Sequence, residues 1–254
     1  MSAHDASHAK GAQGHHHYDH YTPEMARRLD KFYGRVDERL NELVARSVVG
    51  ESVLDVGCGF GSLTDHLRAR GFKATGIDLL AEGIVEGKKR YPLADLRVAA
   101  SEELDFPEGS FDTVVLKDTI HHIYEEDDVA AFLNSVRRIA RRRVVVLDPN
   151  PTFILLLSRK LIGHVDPVCS PADAARVVSQ AGFKVVGVSY SELFAFPMSG
   201  GYVGPALLPA RPKLLGSLAL ALDTALFKLL EAAKLGRFCG WRYLLVADVE
   251  QSPA

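Results

Sequence analysis

Three cysteines are too few for a disulfide framework, and Cys58, Cys169 and Cys239 stand too far apart for a C-x-x-C pair or a zinc-binding set. A reduced, cytoplasmic setting is therefore expected. An excess of one charge is also missing: 30 Lys and Arg against 32 Asp and Glu leave a net charge of -2, which gives no global reason to bind nucleic acid. No uninterrupted apolar run reaches the roughly 18 residues of a membrane-spanning helix. The first residues carry no basic segment followed by an apolar one, so no signal peptide is expected. What is plentiful is apolar content, 47% of 254 residues, enough for a sizeable core in one domain with insertions.

The strongest local pattern is Val53-Leu54-Asp55-Val56-Gly57-Cys58-Gly59-Phe60-Gly61-Ser62-Leu63. An apolar run, an acid, three alternating glycines and a helical period read as strand, tight loop and helix start, the unit with which an α/β sheet cradles a nucleotide-like ligand. A dinucleotide fingerprint has the spacing G-x-G-x-x-G, with the pyrophosphate on the helix N-terminus. Here the spacing is G-x-G-x-G, and Asp55 puts a carboxylate beside the loop, where it repels phosphate and favours a cation.

Residues 1–20, rich in His, Ala, Gly and Ser without apolar period, read as a disordered tail. Thr22, Pro23 and Glu24 then start a helix. Met25, Leu29, Phe32, Val36, Leu40, Leu43 and Val44 continue at three- and four-residue steps as two helices broken near Gly34. Strands follow at 73–77, 96–99, 111–116, 144–147, 183–190 and 242–249, with helices at 62–70, 81–91, from about 126, and at 171–181. The second strand ends in Asp78, whose two acceptor oxygens match a ribose cis-diol. The fifth ends in Asp148. Ligands of open α/β sheets bind outside the carboxyl ends of the strands, so Asp55, Asp78, His121, His122 and Asp148 are expected to converge there. Arg137, Arg138, Arg141, Arg142 and Arg143 are read as a solvated, dipole-matched helix end rather than an RNA-binding run. A metal site from His121, His122, Asp148, His164 and Asp166 has no diagnostic spacing, and none is expected.

Asp55 through Gly61 resembles motif I of the class I S-adenosylmethionine (SAM) dependent methyltransferases, D-x-G-C-G-x-G. Residues 99–112 are similar to that superfamily's G-D-A-E-x-L-P-F-x-x-x-S-F-D, and residues 111–123 to its F-D-x-V-x-x-x-x-x-L-H-H-x. The resemblance covers about 50–190 and points to the type 11, small-molecule group. It implies a Rossmann-like seven-stranded sheet, mostly parallel with an antiparallel last strand, and helices on both faces. It also implies SAM as cofactor, S-adenosylhomocysteine (SAH) as product, and a single domain over 21–254 with lid helices at 21–49.

The cofactor residues so implied are Asp55, Gly57, Cys58, Gly59, Gly61, Asp78, Leu79 against adenine, and Lys117 near the methionine end. The superfamily's adenine-binding acid falls on Ala100, which shifts that contact to Ser101, Glu102 or packing. Insertions at about 151–165 and 192–238 stand where the superfamily builds its acceptor pocket. They make Phe153, Phe194 and Phe196, with Tyr21 and Tyr33 from the lid, the candidate acceptor contacts, and packing is the alternative for both tyrosines. Their apolar composition suits a hydrophobic or aromatic acceptor, such as a polyketide, quinone-like or isoprenoid compound of secondary metabolism. The helix at about 214–235 fits three roles: acceptor pocket, homodimer interface or peripheral membrane contact. Methylation of an oxygen needs a base, and His121 or His122, oriented by Asp148, suits that task. C-methylation of a quinone or isoprenoid-like lipid, and a SAM-binding role without methyl transfer, are the alternatives.

Overall fold

The computed structural model describes residues 21–100, 104–124, 129–162, 167–201, 204, 206–208 and 213–250. The expected tail at 1–20, and Ser101, Glu102, His164 and Asp166, lie outside the described residues. The strands are β1 (Ser52–Val56), β2 (Lys73–Asp78), β3 (Asp95–Val98), β4 (Phe111–Lys117), β5 (Ala140–Pro149), β6 (Phe183–Ser191) and β7 (Arg242–Val249). They form one sheet in the order β3-β2-β1-β4-β5-β7-β6. β1 to β5 are parallel, and β7 runs antiparallel between β5 and β6.

The central strands are apolar on both sides because helices cover both faces. Leu54, Val56, Val114, Leu116, Val144 and Val146 pack with α5 (Ile120–Tyr124), α6 (Val129–Ile139) and α8 (Pro171–Gln180). Val53, Val115, Val145 and Leu147 face α2 (Phe32–Ala45), α3 (Ser62–Ala69) and α9 (Ala195–Ser199). The remaining helices are α1 (Pro23–Arg27), α4 (Ala81–Arg90), α7 (Phe153–Ile162), α10 (Lys213–Ala232) and α11 (Gly236–Cys239).

Two readings of the sequence need correction. The lid helices break at Lys31, which is extended after a short 3-10 turn at Arg28–Asp30. Gly34 lies inside α2, and its absent side chain serves the corner differently: a Cβ there would stand 1.8 Å from the Leu29 carbonyl oxygen. The arginine run is a helix end only in part: Arg137 and Arg138 stand in the last turn of α6, while β5 begins at Ala140 and takes in Arg141 to Arg143. Arg141 binds Asp112 at 2.8 Å and Arg143 binds Asp248 at 2.7 Å, while Arg137 and Arg138 donate to loop carbonyls. Asp112, part of the S-F-D segment, braces the start of β1. It accepts from the Glu51 and Ser52 N–H groups and the Ser52 hydroxyl.

The 192–238 insertion is tied to α2 by a buried cluster of charges. Arg39 pairs with both oxygens of Glu192 at 2.7 and 2.5 Å and with Asp223 Oδ2 at 2.7 Å. Asp223 Oδ1 accepts the N–H groups of Leu193, Phe194 and Ala195. Burial, assisted by the neighbouring Asp223, pushes Glu192 up to about 7 against the pull of Arg39.

The folded chain therefore holds a proton on Glu192 over a range in which the unfolded chain has lost it. This group's contribution makes stability fall as pH rises from the ordinary 4.5 to about 7. Glu192→Gln removes that titration, so its stability relative to the parent should rise by about 2 kcal/mol across the same window. Urea midpoints at the two ends of the window measure the difference.

Candidate functional site

The chain leaves β1 through a loop that only glycine can follow at its ends. Gly57 and Gly61 have φ of 71° and 78°. A Cβ on Gly57 would meet Thr119 Oγ1 at 2.5 Å, and one on Gly61 would meet Leu96 at 2.6 Å. The N–H groups of Gly57 and Cys58 both donate to the Ile77 carbonyl at 2.9 Å, which ties the loop to β2. Cys58 turns its sulfur over Gly76 of β2 and packs on the Ile84, Ala94 and Leu96 cluster. Burial pushes its thiol well above the usual range.

Asp78 stands at the tip of β2, nearly buried. Its Oδ2 accepts the Gly59 N–H at 2.8 Å and its Oδ1 the Leu80 N–H at 2.9 Å. Burial raises its pKa, and the two backbone donors oppose the rise. Each oxygen retains lone-pair capacity after one hydrogen bond, as a cis-diol requires. Leu79 beside it is exposed. Tyr21 reaches across the opening: its ring packs on Phe60 at 4.9 Å. A Cβ on Gly83 of α4 would fall 2.5 Å from that ring, and one on Gly59 would fall 3.2 Å from its hydroxyl. The first lid residue thus lies between the glycine loop and α4.

Asp55 lies beneath the loop. Its Oδ2 accepts the Thr64 hydroxyl at 2.7 Å, and burial pushes it up to about 6. It braces the start of α3, and its anionic character is weaker than that of a solvated carboxylate. Lys117 stands on the same side of the sheet. Its ammonium donates to Asp37 Oδ1 and Asn41 Oδ1, both at 2.6 Å, and Asp37 also accepts the Ser62 hydroxyl at 2.7 Å. Asp37 and Asn41 went unnoticed in the sequence, although two polar residues four apart on the apolar face of α2 were a usable signal.

On the other side of the loop, Thr119 donates its hydroxyl to the Val56 carbonyl at 2.9 Å, and two residues later His121 opens α5. His121 Nδ1 lies 2.8 Å from Asp148 Oδ1, and both side chains are buried. Desolvation raises the Asp148 carboxyl well above the usual range. Its Oδ2 is buried without a hydrogen-bond partner among the described residues. The His122 ring lies 4.1 Å from that of His121 and is partly exposed.

Of the acceptor candidates, Tyr33 and Phe196 meet edge to face at 6.1 Å. Trp241 lies 6.3 Å from Phe196, and the Arg242 guanidinium sits over that ring at 4.3 Å. Arg242 also pairs with Asp118, a left-handed residue just past β4. Tyr33 is buried. Phe194 is held through its N–H by Asp223. Phe153 is exposed on the first turn of α7, apart from this group.

Residues 54–148 match the family model described as a methyltransferase domain. This matched segment is a methyltransferase domain of the class I SAM-dependent kind. SAM is its cofactor, and the glycine cradle that a Cβ would fill, with Asp78 at its edge, fits the nucleoside end of that molecule.

Among curated relatives, the fatty-acid O-methyltransferase of Mycolicibacterium smegmatis is 37% identical over 99 residues, 37% of this chain and 35% of that protein. The ubiquinone biosynthesis O-methyltransferase of Paramagnetospirillum magneticum is 34% identical over 113 residues, 43% of this chain and 42% of the relative. The chain thus spans less than half the length of either. A SAM dependent methyltransferase from Archaeoglobus fulgidus has the same fold, with TM-score 0.60, 16% identity, and coverage of 85% of this chain and 94% of that one.

The placement of Asp78 predicts that Asp78→Ala weakens SAH binding by about a hundredfold or more, the loss of two charge-assisted hydrogen bonds. Calorimetric titration measures it, and near-parental affinity in a folded variant would contradict the ribose role.

Proposed function

We propose that this protein transfers the methyl group of SAM to an oxygen of a small, apolar acceptor, with the His121, His122 and Asp148 group supplying the base. The observation that carries this reading is the buried His121–Asp148 hydrogen bond two residues beyond Thr119, which itself touches the glycine loop. Bound SAM supplies an activated methyl group for in-line displacement. The chain's own residues must align the acceptor, exclude water and take up its proton. Asp148 orients the His121 ring through Nδ1, which leaves Nε2 as the proton-accepting atom. His122, the more exposed of the two, stands against that ring and borders the acceptor side.

The cofactor is held by Asp78 and lies against the backbone of the glycine loop, with Leu79 against adenine and Tyr21 closing over the entrance. Tyr33 and Phe196, backed by Trp241, form an aromatic wall for the acceptor. Phe194 and Phe153 are further contacts in this reading. The names of the two relatives, whose O-methylation is stated for fatty acids and in ubiquinone biosynthesis, support a lipid-like or quinone-like acceptor. They also keep open C-methylation of the same class of compound. Fragmentation of the methylated product separates the two, and a SAM-binding role without transfer predicts that SAH never accumulates.

His121→Ala and His122→Ala should leave SAH affinity unchanged while at least one lowers kcat by about 10² to 10⁴. Unchanged turnover in both sinks the base assignment.

A further inference from the structure

The long helix of the insertion presents its leucines to solvent. Leu214, Leu215, Leu218, Leu222, Leu226 and Leu229 are exposed by 38 to 69%. At 100° per residue they fill one continuous sector of about 120° along α10. Gly216, Asp223 and Phe227 are the buried positions on the inner side. Ser217, Thr224, Lys228 and Glu231 occupy a separate polar strip.

A surface helix ordinarily turns its leucines inward. Here the rotation is set by Asp223, whose carboxylate caps three backbone N–H groups of residues 193–195 and pairs with Arg39. Turning the leucines inward would swing this carboxylate away from four donors. The apolar face is therefore held outward by a specific set of bonds, and Leu235 and Phe238, both exposed, extend it past the end of the helix.

Charge decides what covers this face. Lys213, Lys228, Lys234 and Arg237 are exposed in the segment 213–239, against Glu231 as its one exposed acid; Lys228 flanks the leucine sector, and the Arg237 guanidinium lies over the Phe238 ring at 4.4 Å. A second copy would bring the same net positive segment against this one. An anionic lipid surface accepts the leucines between its headgroups while the lysine stems snorkel to the phosphates. No described helix is long and apolar enough to cross a membrane, so the contact lies in the plane of the interface.

We propose that the outer face of α10, continued by Leu235 and Phe238, docks on the surface of an anionic lipid bilayer. The proposal stands apart from the methyl-transfer reading, because it concerns a face anchored by Asp223 rather than the strand tips and is tested without SAM or acceptor. A bilayer-bound enzyme would meet an apolar acceptor where such compounds partition.

The test is co-sedimentation of the full chain with vesicles of phosphatidylglycerol and phosphatidylcholine in equal parts, beside vesicles of phosphatidylcholine alone. The parent protein should bind the anionic vesicles, bind neutral ones less, and be released by salt. Leu218→Glu combined with Leu222→Glu should reduce binding by about tenfold or more. Both side chains point outward, so melting temperature and SAH affinity should be retained. The proposal is overturned if the parent ignores anionic vesicles, or if the double variant binds them equally well. It is also overturned if sedimentation equilibrium shows a dimer that the same substitutions dissociate, because the face is then a homodimer interface.

Discussion

The carboxylate of Asp78 joins the two walls of the crevice. One oxygen takes the N–H of Gly59 in the glycine loop, and the other takes the N–H of Leu80 at the entry to α4. Those contacts set the separation between loop and helix into which Tyr21 fits, and they point a nearly buried acid toward any ligand between them. The loop itself follows from sterics at Gly57 and Gly61, where left-handed backbone and close neighbours leave no room for a side chain. Replacing that carboxylate would loosen both walls together, because the same two oxygens orient the donors on each side.

The chemistry divides between the two faces of the sheet. Asp55 and Lys117 belong to the side covered by α2 and α3, where they are engaged by Thr64, Asp37 and Asn41. Asp148 follows Val144 and Val146 on the opposite side, and there it holds His121. The crevice therefore runs across the strand tips, with a structurally braced wall and a titratable one. Burying Asp148 raises its proton affinity.

Much of this was legible in the sequence, for local reasons. The strand–loop–helix of residues 53–63, Asp78 at a strand end, and the order of strands and helices all rest on periodicity and glycine chemistry that span a few residues. The His121–Asp148 pairing was legible too, because both follow adjacent strands at their carboxyl ends. What escaped depends on partners distant in the chain. Lys117 meets Asp37 across 80 residues, Asp112 caps β1 across about 60, and Arg143 reaches Asp248 across 105. The outward rotation of α10 is of the same kind, since its pattern of leucines is compatible with burial and only the contacts of Asp223 turn it around. Phe153 was singled out by composition, which carries no information about direction.

The central claim is that the crevice between the glycine loop, Asp78 and α4 selects SAM and its product over a dinucleotide. Titration calorimetry of the full chain with SAH and, separately, with NAD tests it directly. Saturable one-to-one binding of SAH in the micromolar range, with no heat of binding for NAD, is the predicted result. Saturable NAD binding with SAH silent would contradict the account.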